Sequence, residues 1–314
     1  MDKVFIVILN YKRWEDTAHC IDSVLDSDHP NFTIFVIDNF SGNDSLEKII
    51  ENGQQKRPDQ YSKPNFFSKI HSSQINDAFD CANLPKILFI QNHENKGFAS
   101  GNNVALKRIR HENAYVWLLN PDMVIEPGTI AALLDTAKKN DYKTIVGATV
   151  KYYEDKEKVH FYGGATINFN TATISFADSK SAISSLDYIS GGCLFCHASH
   201  FETLGLLPEE FFLYWEETDW CYRAKLQGFQ LVVSLQAICY DKISTTIGKG
   251  FLSDYYYTRN GLTFISRYRR KKLSFVIAAA CLRFGKRILS GEWDRAKGVC
   301  KGILSFLTGR NENP

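Results

Sequence analysis

Five short apolar runs punctuate the first half of the chain: VFIVIL (4–9), FTIFVI (32–37), ILFI (87–90), YVWLL (115–119) and TIVGATV (144–150). Runs of this length, rich in β-branched and aromatic residues, read as buried strands. Between them, amphipathic segments open near Trp14, Asp44, Gly97 and Pro127. Strand and helix signals in alternation predict an α/β fold, a mostly parallel sheet with crossover helices on its faces. The polar, proline-containing stretch from Glu51 to Lys86 is long for a connection and reads as an insertion or a mobile loop.

After Val150 the texture changes. Strand-like pieces with glycine turns (VHFYGGATINFNTATISFA) lead through YISGGCLFCH to a dense aromatic and acidic patch, FFLYWEETDWCYRAKLQG. From Phe251 onward the pattern is helical, basic and aromatic, and no internal repeat or low-complexity tract is evident. A hydrophobic content of 44% and a charged content of 23% are ordinary for a folded domain of 314 residues.

The net charge of +2 hides an asymmetry. Residues 251–314 carry 13 Lys/Arg against 4 Asp/Glu, so the tail is +9 and the body −7. That division predicts a tail that meets an anionic surface, with a solvated helix face as the plainer reading. The N-terminus enters a strand directly, without the charge, length and cleavage pattern of a secretory signal. The longest apolar run in the tail, LSFVIAAACL, is half a membrane span. The expectation is a cytoplasmic protein whose tail rests on the inner face of the plasma membrane. CLFCH (193–197) has the spacing of a c-type haem attachment or half a zinc site. It alternates like a strand and has no second cysteine pair, so core packing is the expected role.

No glycine loop prepares a phosphate site. The first strand runs into LNYKRWED, and neither a dinucleotide fingerprint nor a Walker A sequence occurs. The strand ends instead offer oxygen ligands: Asp38-Asn39 closes one run and Asn120-Pro121-Asp122 another. In a parallel sheet these ends share an edge, so Asp38 and Asp122 are expected to face one cleft. Hard ions such as Mg²⁺ or Mn²⁺ suit carboxylates completed by phosphate oxygens and water. An Asp after a strand also serves as a turn or cap residue.

In YWEETDWCYR, crowding of Glu216, Glu217 and Asp219 predicts a carboxylate with a raised pKa, fit for proton abstraction. Asp219 is placed to cap a helix and to pair with Arg223 at i+4, which leaves Glu216 and Glu217 for chemistry. Trp215 is a candidate stacking platform for a ligand, with a core position as its alternative.

Six segments carry a family resemblance: VILNYKRWEDTAHCIDSVL, FVIDNFSGNDS, NHENKGFASGNNVALK, YVWLLNPDMVIEPGTI, the run from ISGGCLFCH to AKLQGF, and YYYTRNGL. In this order they resemble the inverting glycosyltransferases of family 2, with the GT-A fold, and within them a bacterial rhamnosyltransferase-like branch. The resemblance covers about residues 3–265. It implies a catalytic domain over 1–250, with a nucleotide-binding half (1–125) and an acceptor-binding half (126–250), followed by a basic helical region (251–314).

By the same resemblance, Asp122 holds a Mg²⁺ or Mn²⁺ ion against the donor diphosphate. Leu9, Asn10 and Tyr11 border the base, Asp38 contacts base or ribose, Asn95, Gly97, Asn102 and Asn103 line the nucleotide pocket, and Asn39 and Asn120 are further nucleotide-binding candidates. Glu217, with Glu216 beside it, occupies the place of the catalytic base, with Trp215 and Asp219 on the acceptor side. Arg259 would add a cation near the phosphates, or lie on the surface. Two departures stand out. The base is Glu where the family usually has Asp, and Asp241 stands where many relatives carry a metal-binding His.

The implied activity is transfer of a sugar, rhamnose from dTDP-rhamnose first among candidates, to a glycan or lipid-linked acceptor in cell-surface polysaccharide synthesis. The alternatives are a UDP-hexose transferase and a non-catalytic nucleotide-sugar-binding or scaffold protein of the same fold. The basic tail lacks a recognisable nucleic-acid module, and no nucleic-acid partner is expected.

Overall fold

The computed structural model describes residues 1–76, 78–140, 143–243 and 248–309. In its first half the strands β1 (Val4–Asn10), β2 (Phe32–Asp38), β3 (Phe67–His71), β4 (Ile87–Gln91) and β5 (Tyr115–Leu119) alternate with the helices α1 (Trp14–Leu25), α2 (Ser45–Lys56), α3 (Pro58–Tyr61) and α4 (Phe98–Ile109). The short β6 (Met123–Ile125) and α5 (Thr129–Lys139) lead to β7 (Thr144–Tyr152), β8 (Val159–Tyr162), β9 (Gly164–Asn168), β10 (Thr173–Phe176), β11 (Tyr188–Ile189) and β12 (Cys193–His197). The chain closes with α6 (His200–Thr203), α7 (Glu216–Leu226), β13 (Gln230–Asp241), α8 (Phe251–Tyr268), α9 (Leu273–Leu289) and α10 (Trp293–Thr308).

The main sheet runs β3-β4-β2-β1-β5-β12-β7-β13-β6, with β8 added to β7. Its first five strands are parallel, as the alternating pattern predicts. The sheet then turns mixed, because β12 inserts antiparallel between β5 and β7. Apart from the edge strand β3, each strand of the parallel half is nearly all apolar because helices cover both faces. The two faces form separate cores, one around Phe5, Phe35 and Leu118, the other around Ile6, Val36 and Trp117.

One expectation is corrected here, and two hold: CLFCH packs in the core and the tail is helical. The 51–86 stretch is not one long loop: it holds the end of α2, then α3 and the edge strand β3. CLFCH is β12, and Cys193 and Cys196 sit in opposite cores, so these two thiols cannot share a metal. The tail, helical as its pattern predicts, also joins the core. Helix α8 packs its Tyr255, Leu262 and Phe264 fully inside the protein.

Candidate active site

The carboxyl ends of β1, β2 and β4 meet in register, Asn10 beside Asp38 and Asp38 beside Gln91. At this edge the polar side chains bind one another. Asn10 Nδ2 donates to Asp38 Oδ1 at 2.6 Å, and Thr17 Oγ1 donates to Asn10 Oδ1 at 2.7 Å. Ser41 adds its backbone N–H and hydroxyl to Asp38, and Gln91 Nε2 donates at 2.9 Å. Four donors fill the acceptor capacity of one carboxylate. Asp38 is buried, so the expected contact with base or ribose is corrected to a framework role.

Asn39 continues this network. Its Nδ2 donates to Asn95 Oδ1 at 2.9 Å, and its Oδ1 accepts from Asn92. Leu9 and Tyr11 remain half-buried at the rim, and Leu9 packs against Gly101 of α4.

Three expected pocket residues turn out to belong to α4's anchorage. Gly97 has φ +93°, and a Cβ there would lie 2.1 Å from the Phe212 carbonyl oxygen, so only glycine fits this crossing. Asn102 is buried and donates within its own helix to Phe98 O. Asn103 Nδ2 donates to Leu207 O and Glu209, while its Oδ1 accepts from Leu207 N. Gly97 and Asn103 fasten α4 to the 205–213 loop, and Asn102 is tied to its own helix.

That loop delivers the acidic pair. Tyr214 and Trp215 both have positive φ, 64° and 76°, an uncommon conformation for bulky residues. It persists because the surroundings enforce it. Asn260 of α8, fully buried, donates its Nδ2 to Leu213 O at 2.8 Å and Tyr214 O at 3.0 Å. Arg259 Nε donates to Asn260 Oδ1, and Arg259 Nη2 donates to Glu210 O at 2.7 Å. Arg259 is therefore buried beneath the loop, which replaces both the phosphate-contact and the surface readings.

Trp215 is corrected as well. Its ring is 1% exposed, packed on Phe264 and Tyr257, and its Nε1 donates to Tyr257 O, so it offers no face to a sugar. Asp219 keeps the expected pair with Arg223 at 3.1 Å, and adds Arg267 and Tyr268. Being fully buried and so engaged, it is not an acceptor contact; nor does it cap, because α7 already starts at Glu216.

Glu216 and Glu217 open α7. Burial pushes both carboxyls up, and the charge of Glu217 pushes Glu216 further, well above the ordinary range. The backbone N–H groups of Gly191, Thr218 and Glu217 itself face the Glu217 carboxylate and pull its pKa part of the way back. The helix N-terminus favours negative charge at the same place. The two carboxyls titrate as one coupled pair, both raised by burial, with the backbone N–H groups favouring charge on Glu217. Each retains a buried Oε2 without a hydrogen-bond partner.

Gly191 and Gly192 join this pair to the other acidic loop. A Cβ on Gly191 would lie 3.3 Å from Glu217 Cγ, while Gly192 O accepts from Asn120 N at 3.1 Å. The Asn120-Pro121-Asp122 turn and Glu217 thus lie on either side of one two-glycine turn. Asp122 is half-buried, just beyond the register pair Met123–Asp241, and its carbonyl accepts from Lys242 N at 3.2 Å. Asp241 is half-buried too; Oδ1 accepts from Ile243 N, and Oδ2 lies 3.2 Å from His160 Nδ1. The Ser/Thr stretch that follows it, 244–247, lies outside the described residues.

Among the described residues, no three His, Cys, Asp or Glu side chains gather to enclose a metal. Two carboxylates on neighbouring strands fit a hard divalent ion only if substrate phosphate and water complete its shell.

The glycosyl transferase family 2 model matches residues 5–205. The low-salt glycan biosynthesis hexosyltransferase Agl10 of Haloferax volcanii is 26% identical over 174 residues, 52% of this chain and 55% of that protein. The chain thus spans about half the length of this curated relative. Among solved structures, the Pyrobaculum calidifontis mannosyltransferase PcManGT, in complex with GDP-Man and Mn²⁺, superposes with a TM-score of 0.58 at 12% identity, covering 98% of this chain and 88% of that one. GalNAc-T7 with UDP, GalNAc and Mn²⁺ gives 0.55 at 13% identity, over 89% and 54%. S. aureus TarS 1–349 in complex with UDP-GlcNAc gives 0.52 at 15% identity, over 88% and 72%. At these identities the likeness is one of fold.

Proposed function

The chain belongs to glycosyl transferase family 2, and we propose that it moves a sugar, with inversion, from a nucleoside diphosphate donor to an acceptor hydroxyl. The reading rests on one observation: the two-glycine turn that sets the Asp122 loop against Glu217. Asp122, with Asp241 beside it, would hold a Mg²⁺ or Mn²⁺ ion. When bound, that ion supplies charge neutralisation for the departing diphosphate.

Glu217 takes the proton from the acceptor hydroxyl as that oxygen attacks the anomeric carbon. The backbone N–H groups of Gly191, Thr218 and Glu217 favour its charged form, while burial and the neighbouring charge raise the pKa of Glu216 further. Asn260 and Arg259 fix the backbone that carries both glutamates. Glutamate is one methylene longer than the aspartate usual in the family, so the acceptor oxygen sits correspondingly further from α7.

The six ordered segments make dTDP-rhamnose the first donor to test and cell-surface polysaccharide or lipid-linked glycans the acceptor class. The hexosyltransferase relative, and neighbours solved with GDP-Man and UDP-GlcNAc, make the corresponding hexose donors its rivals. A thermal-shift panel of nucleotide sugars, with and without Mn²⁺, separates them. The expected result is stabilisation by one donor that requires the ion and is absent in Asp122→Asn. Ion-independent stabilisation, equal in that variant, would overturn the metal assignment; binding with no transfer over a broad acceptor panel would overturn the enzyme reading.

A further inference from the structure

We propose that the outward faces of α9 and α10 form a docking surface for an anionic phospholipid leaflet, a role that stands apart from the transfer reaction. Helix α9 turns Val276 and Ala280 inward, yet the opposite side is not polar. Phe275, Leu282 and Leu289 are 59%, 76% and 90% exposed. With exposed Ala278 they form one stripe at helical spacing.

Helix α10 repeats the arrangement. It buries Ala296, Val299, Gly302 and Ser305, and leaves Trp293, Leu304 and Leu307 at 62%, 53% and 60% exposure. Six of the thirteen large exposed hydrophobics among the described residues fall in these two helices. Single exposed apolar residues are ordinary; a concentration in one helical pair marks an interaction surface.

Charge selects the occupant. Arg287 and Arg295 are tied into ion pairs with Asp254 and Glu292. Arg270, Lys271, Lys272, Lys286 and Lys297 are exposed and form no ion pair with an acid among the described residues. A second copy of the chain would press this basic surface against its like, whereas an anionic leaflet accepts the cations and the apolar stripe together. No described helix is long and apolar enough to cross a membrane, so the helices would lie in the interface plane.

The test is co-sedimentation of the whole protein with vesicles of phosphatidylcholine alone or mixed with phosphatidylglycerol. Two surface double variants, L282D/L289D and K271E/K272E, run beside it. Binding to the anionic vesicles is expected to exceed that to the neutral ones by about tenfold or more and to fall as salt rises toward about 0.5 M. Each double variant should lose most of it. Donor-induced thermal shifts should stay unchanged in both, which separates this surface from the transferase reading. Vesicle binding that neither variant alters would overturn the proposal. So would light scattering in which L282D/L289D splits a dimer while vesicle binding is unaffected.

Discussion

Two polar clusters of the molecule are built on opposite terms. At the ends of β1 and β2, the side chains of Asn10, Asp38, Asn39 and Asn95 bind one another, and Asp38 takes four donors. At the start of α7, Glu216 and Glu217 are crowded, pushed up in pKa, and each left with an unpartnered oxygen. A satisfied network fixes the shape of a site; a frustrated one stores a proton and a lone pair for use. In the proposed mechanism, the framework lies at the ends of β1 and β2 and the proton acceptor at the start of α7.

The largest effect expected from breaking the contrast is at Glu217. Glu217→Gln should lower kcat by about 10²–10⁴-fold while donor-induced stabilisation survives. Next is Asp122→Asn, which should cost roughly 10²–10³-fold in transfer and abolish the Mn²⁺-dependent part of donor binding. Asn260→Ala strands the Leu213 and Tyr214 carbonyls, with an expected loss of about 1–3 kcal/mol in denaturant unfolding and a fall in kcat. Asp38→Ala should cost similar stability yet act on the donor KM, with kcat kept. Equal kcat losses in these two variants would erase the division between framework and chemistry.

The smallest effect is at Glu216, where only the sign is at stake. A carboxyl whose folded pKa is raised contributes stability below its unfolded pKa, and that contribution is lost as pH rises through the folded value. Glu216→Gln should therefore raise Tm by a few degrees at pH 8 and by less at pH 5.

The strands legible from sequence were those whose apolar runs needed no context, β1, β2, β4, β5 and β7. The strand β3 was hidden because FSKIH lies on a sheet edge and is only partly buried, so it carries no apolar run. Asp122 and Glu217 stood out because acids beside turns and aromatics are poor core. Asn102, Asn103 and Arg259 were misread for a different reason. An amide or guanidinium that binds backbone has the same composition as one that binds phosphate, and only burial separates them. Asn260 shared the YYYTRNGL segment with Arg259 and was passed over for its charged neighbour.

The pH dependence of kcat/KM, taken on the wild type and on the residual activity of Glu217→Gln, tests the assignment of the base most directly. The wild type should show an acid limb with its midpoint above 4.5, the ordinary glutamate value, because activity needs the ionised form of a carboxyl whose pKa is raised. That limb should vanish in Glu217→Gln. The same limb persisting in the variant would show that another group takes the proton, and the account of this site would not stand.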